Sequence, residues 1–185
     1  PSEFMTSITC AAAEKAQRLL GHLIQQGNDN NMHPGVEVSA YKLVMSAWSN
    51  VFHWSSGDRC GEVLEAYGER YGGDMNYMPS IDDYKTVTKA HLKSCSSRYN
   101  NVTTNDSSSV PPSSPGETAL EILNLLTNVY TAGDLFLKPD VELYSHTIAV
   151  VRNTLLDWKL RQRLRNVAAT NDENDDTSLE SQLTI

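Results

Sequence analysis

No stretch of this chain approaches the run of about 18 apolar residues that a membrane-spanning helix needs, so nothing in it reads as a span. Strand signals are nearly missing too. Apolar and polar residues nowhere alternate over a long run, and no Asn-Gly turn joins two β-rich stretches. Cysteine is scarce: Cys10, Cys60 and Cys95 are odd in number and far apart. That spacing fits neither a disulfide framework nor a zinc site, and it points to a reducing compartment. Cys60 falls on the apolar face of its segment and reads as a small core residue. The start has neither a basic segment leading into an apolar core nor an Arg-rich presequence. Pro1-Ser2-Glu3-Phe4 ahead of Met5 reads as a cloning scar.

Catalytic constellations are also missing. His22, His33, His53, His91 and His146 form no His-Glu-x-x-His pair or facial triad. No phosphate loop, nucleophile elbow or kinase signature is present. Asp82 and Asp83 are adjacent carboxylates that capping and solvation explain without catalysis. The reading is therefore of a protein that is not an enzyme, with no cofactor, no metal, no small-molecule substrate and no membrane partner.

What the chain does contain is helix punctuation. Ser114 can cap, Pro115 suits a first helical position, and Glu117 completes a capping box. Ala119, Ile122, Leu123, Leu126 and Tyr130 then share one face, and Gly133 supplies the stop. After a short loop, Pro139-Asp140 opens a second helix. On it Val141, Tyr144, Ile148, Val151, Leu155 and Trp158 draw an apolar stripe, expected to be the buried face against the first helix.

This hairpin recurs. Pro34, Pro79 and Pro139 each lead to a tyrosine, at Tyr41, Tyr84 and Tyr144. Tyr41-Lys42-x-Val44-x-x-Ala47 matches Tyr84-Lys85-x-Val87-x-x-Ala90, and Tyr144-Ser145-x-Thr147-x-x-Val150 keeps the size pattern. Each copy follows an amphipathic helix: Ala12, Ala16, Leu19, Leu20, Leu23 and Ile24 in one case, Cys60, Val63, Leu64, Tyr67 and Tyr71 in another. Helix types alternating at a period of tens of residues predict an all-α fold, an α-solenoid of antiparallel helix pairs. Six helices and three buried, equivalent tyrosines are expected. Trp48 and His91 occupy one repeat position and read as core or interface. Asp58 is expected to cap the helix that carries Cys60.

The expected organisation is a lead-in over residues 1–10, a helical-repeat domain over 11–166, and an acidic disordered tail over 167–185. A Ser/Asn-rich disordered insertion interrupts the domain at 96–114. The chain opens on the second helix of a repeat, so it is expected to be part of a longer array.

Ala132-Gly133 through Lys138-Pro139-Asp140-Val141-x-x-Tyr144 resembles the pentatricopeptide repeat consensus. Ala13-Glu14-Lys15-Ala16 with Leu19-Leu20, and Ala47-Trp48-Ser49, also resemble these proteins, notably those of diatoms and related algae. The resemblance spans roughly residues 11–158 and implies right-handed superhelical stacking. It also implies single-stranded RNA binding at one base per repeat, in a mitochondrion or plastid. In that family the residue after the Tyr and the last residue of the repeat read the base edge. The resemblance therefore implies Lys42 with Ser80, Lys85 with Asp140, and Ser145 as RNA-contacting residues. The position two before the Tyr, normally an apolar base sandwich, is Ser39, Asp82 or Glu142 here.

Charge presses the other way. The formal net charge is −8, whereas phosphate binding wants a basic surface. Five of the negative charges lie in the tail, at Asp172, Glu173, Asp175, Asp176 and Glu180, and the remainder is still acidic. The alternative expectation is a protein-interaction scaffold whose concave surface takes a peptide or a partner helix.

Overall fold

The structure is a computed structural model that describes residues 3–29, 37–74, 76–100 and 114–180. Among them there are six α-helices, a single 3-10 turn at Leu135–Leu137, and no strand. The helices are α1 (Glu3–Asp29), α2 (Val38–Ser49), α3 (Ser56–Tyr71), α4 (Ile81–Asn100), α5 (Pro115–Thr131) and α6 (Val141–Glu180).

Local chemistry accounts for several boundaries. Ser114 and Glu117 form the capping box at the start of α5, with Pro115 at its first position. The helix stops at Gly133, whose φ of 112° is left-handed and open to glycine at little cost. The Asp140 carboxylate accepts from the Leu143 N–H at 2.9 Å and so caps α6. Helix α3 starts at Ser56 after Ser55, so Asp58 lies in its first turn and is not its cap.

Helices run past three of the expected boundaries. The lead-in is helical from Glu3, because nothing between Glu3 and Cys10 breaks a helix once the Ala-rich segment has nucleated it. In the same way α6 continues through Glu180, well into the expected tail: residues 141–180 contain neither Gly nor Pro. Part of the expected insertion is also helical, since α4 runs to Asn100 and Ser114 is a cap. Residues 101–113 and 181–185 lie outside the described residues.

Side-chain contacts give the helix directions. Early residues of α2 meet late residues of α3: the Tyr41 ring stacks on Tyr67 at 5.4 Å and meets Tyr71 edge-on at 6.1 Å. Ser56 and Gly57 at the start of α3 meet Ala90 and His91 in the middle of α4. These pairs are antiparallel. By contrast α2, α4 and α6 run parallel, with Lys42 beside Asp83, Asn50 beside Lys93, Lys85 beside Glu142 and Cys95 beside Thr154. They touch in that order and form one layer. On its other side α1 packs on α2, α3 on both α2 and α4, and α5 on both α4 and α6.

The second layer has its own register. Ala13, Cys60 and Ala119 are buried small residues, and two turns later Leu20, Tyr67 and Leu126 are buried large ones. Small side chains let each helix approach its neighbours closely, and the large ones fill the space between layers. Trp48 is buried and donates its indole N–H to Gln17 on α1 at 2.8 Å. Gln17 in turn donates to Glu62 on α3 at 3.1 Å, tying three helices together. Cys60 is packed beside Met45 and donates to its carbonyl at 3.5 Å, while burial pushes its thiol up to about 12.

The expectation of three equivalent buried tyrosines holds only in part. Tyr41 is fully buried and Tyr84 half-buried, but Tyr144 is 43% exposed. On α6 the core side is Leu143, Thr147 and Val150, and the apolar stripe through Val141, Ile148, Leu155 and Trp158 faces outward. Leu19 and Leu23 on α1 are likewise exposed, and Ala13 and Leu20 take the core. Both outer helices present an apolar flank with no helix over it among the described residues.

Candidate functional site

The sequence-derived candidates gather along the edge of the layer where α2, α4 and α6 begin. Ser80 immediately precedes α4. Its backbone N–H and its hydroxyl both donate to the same Asp83 oxygen, at 2.8 and 2.7 Å. Asp83 is buried, and the Lys42 ammonium reaches that oxygen from α2 at 3.0 Å. Lys42 and Ser80 thus meet through Asp83.

The next pair meets directly. Lys85 Nζ lies 3.0 Å from Asp140, 2.7 Å from Asp82 and 3.1 Å from Glu142. Its side chain is only 14% exposed. Hydrogen bonds from the ammonium to Asp82 and Asp140 raise the lysine well above its ordinary value. The Asp140 carboxyl is held below its ordinary value, first by the Leu143 N–H and then by Lys85. Ser145 stands apart: it is exposed, and its hydroxyl donates to the Val141 carbonyl in its own helix at 2.7 Å.

The structure therefore brings four of the five candidates into two clusters, one between each pair of successive parallel helices. Sequence reasoning missed Asp83. Its signal was an acid three residues past Ser80, the position from which a side chain reaches back to a helix cap.

In these clusters two lysines face four carboxylates, Asp82, Asp83, Asp140 and Glu142. All four ammonium–carboxylate distances are 3.1 Å or less. The donors are satisfied within the protein and the edge is net negative. That chemistry holds helices in register and repels phosphate. Farther along the layer the surface is mixed. Leu43 is exposed on α2, and Lys93 spans to Phe52, 5.2 Å above its ring, and to Asn50 at 3.2 Å. Among the described residues no three His, Cys, Asp or Glu side chains gather as a metal would require, and no helix is long and apolar enough to cross a membrane.

Compared with known proteins, the chain matches no family profile, no curated protein and no solved structure. The described residues are all helical, an arrangement compatible with an α-helical repeat.

Proposed function

We propose that this chain is a helical-repeat interaction scaffold. Its helix pairs stack as a right-handed α-solenoid of the pentatricopeptide kind, and the α2–α4–α6 face receives a peptide or a helix from a protein partner. The observation that carries this reading is that the cations of this edge are already paired within the protein. Lys42 and Lys85, the cations best placed for phosphates, are each tied to carboxylates of the next helix. What remains for recognition is a mixed surface with an apolar anchor at Leu43, which suits a protein ligand better than a polyanion.

Pull-down of partners by the intact chain, compared with Leu43→Glu, tests this. A protein retained at high salt by wild type and lost with Leu43→Glu supports the scaffold. Retention of the same proteins by both chains removes this face from the account.

The second reading is RNA binding, favoured by one observation: the residue pairs implied as base readers are neighbours in space. Lys42 and Ser80 share an Asp83 oxygen, and Lys85 touches Asp140. Fluorescence anisotropy with short single-stranded RNAs between about 50 and 200 mM salt separates the two. The scaffold reading expects no salt-dependent binding. RNA binding whose salt slope falls by about 2 in Lys42→Ala/Lys85→Ala would put RNA first, together with the organellar setting the resemblance implies.

A further inference from the structure

We infer that the chain associates head to tail with a second copy of itself, the incoming copy seating its α1 on the outward flank of α6. The inference rests on the register of the repeats and is independent of what the α2–α4–α6 face binds.

Tyr41 and Met45 on α2 correspond to Tyr144 and Ile148 on α6. On α2 both are buried because α3 lies over them: Tyr41 packs on Tyr67 and Tyr71, and the Cys60 thiol reaches the Met45 carbonyl. On α4 the corresponding Tyr84 packs into the cluster that contains Leu126 of α5. The same positions on α6 are open, Ile148 at 66% exposure, and Val141, Leu155 and Trp158 extend them into a stripe along five turns. By register, this stripe is a seat for a helix of the α3 and α5 type.

Helix α1 is of that type. Its Ala13 and Leu20 are buried where α3 has Cys60 and Tyr67 and α5 has Ala119 and Leu126. Helices α3 and α5 each pack on two helices of the parallel layer, the one before and the one after, whereas α1 packs mainly on α2 and reaches α3 through Gln17 and Glu62. Gln17, which bonds Trp48, marks the α2 side of α1. Met5, Ile8, Leu19 and Leu23 recur on the opposite flank, toward the place a preceding helix would take, and all four are exposed. The stripe residues themselves are uncharged, and the exposed cations beside them, Lys15 on α1 and Arg152 and Lys159 on α6, have long stems that can keep their charges at the rim in water.

The two stripes together expose on the order of 1,000 Å² of apolar surface, at the lower bound for a specific interface, so micromolar affinity is expected. The contact joins two different surfaces. Such a heterologous contact does not close on itself after one step, and assembly continues as copies are added.

The test is sedimentation of the intact chain over about 1–500 μM, a range that brackets micromolar affinity. Weight-average mass should rise with concentration and pass that of a dimer. Ile148→Glu and Leu19→Glu alter exposed positions on opposite ends, and circular dichroism checks that each stays folded. Each variant alone should be monomeric. Mixed one to one, they retain a single matched pair of flanks and should form a dimer that grows no further. A wild type that stays monomeric throughout overturns the inference. So does a dimer insensitive to Leu19→Glu, which would mean pairing of α6 with α6, or a mixture that fails to dimerise.

Discussion

Gly57→Ala should destabilise this protein, although the same substitution elsewhere on the same helix should stabilise it. A Cβ built on Gly57 would sit 2.2 Å from His91 Nδ1, 2.6 Å from Cγ and 2.7 Å from Cε1. All three ring atoms are nearer than carbon and nitrogen tolerate, and the ring is buried between α3 and α4. Relief requires the helices to part or the ring to leave its seat. Overpacking of this kind costs about 1–3 kcal/mol. A one-turn shift to Gly61 meets open space, where Gly→Ala in a helix gains about 0.5–1 kcal/mol. Thermal unfolding followed by circular dichroism should then show Gly57→Ala lowered by about 3–8 °C and Gly61→Ala raised by about 1–4 °C. Adding His91→Ala to Gly57→Ala removes the clash, so the double variant should lose less than the two singles combined, with a coupling of about 1–2 kcal/mol. If Gly57→Ala is as stable as wild type, α3 does not approach α4 as described. The register of the helix pairs would then be wrong.

Three further outcomes are expected. Leu126→Ala, at a fully buried position between α5 and its neighbours, should cost about 2–5 kcal/mol in urea denaturation through the cavity it leaves. Lys85→Ala should cost about 1–2 kcal/mol, a figure discounted because Asp82, Asp140 and Glu142 are each substantially exposed. The pH dependence of the pair follows from its two directions. Asp140 is depressed in the fold, so its contribution is complete above about pH 4 and fades as pH falls through its lowered value. Lys85 is raised, so its share is complete below about pH 10 and is lost as pH climbs through its elevated value. Asp140→Asn should flatten the acid limb of stability against pH, and an unchanged limb would assign the acid sensitivity to other carboxylates. Cys60 is buried with its thiol pushed up to about 12. At neutral pH it should resist iodoacetamide until the protein unfolds, while the half-buried Cys10 reacts first by mass spectrometry.

The parts of the fold that were legible in the sequence are those decided within one helix. The capping box at Ser114 and Glu117, the left-handed Gly133 and the Asp140 cap are local hydrogen-bonding problems with few solutions. The buried face of α2 was legible for a related reason. Tyr41, Val44, Met45 and Trp48 recur at three- and four-residue spacing on the side where α1, α3 and α4 pack, while Leu43, off that side, stays exposed. Periodicity failed where a helix has two apolar flanks. On α6 the richer flank, Val141 to Trp158, is open, while the core is reached by Leu143, Thr147 and Val150. Thr147 is polar and the set looks weaker in sequence, yet it lies on the side turned toward α4 and α5. A pattern count ranks flanks by hydrophobicity; only the placement of neighbours decides which is covered. The same ambiguity misassigned Leu19 and Leu23 on α1.

The candidate site was half legible for a different reason. Lys42 and Lys85, paired in the repeat alignment, lie at matching points on successive helices. What it could not give is what each ammonium touches, because that depends on residues about 40 to 60 positions away in sequence, a separation set by the parallel layer. Asp83 is the decisive residue. From sequence alone it is one of two adjacent acids of no evident use. In the fold it is buried, receives Ser80 from its own helix start and Lys42 from the neighbouring helix, and neutralises the cation that a phosphate would need. If Asp83 sets the spacing of α2 and α4, Asp83→Asn should lower stability and loosen Lys42 together. It would leave the ammonium exposed, and measurable affinity for single-stranded RNA at low salt would be the signature. Should Asp83→Asn leave stability unchanged, the Lys42 contact is a surface accident. The charge argument for a protein partner would then have to rest on Lys85 and its three carboxylates alone.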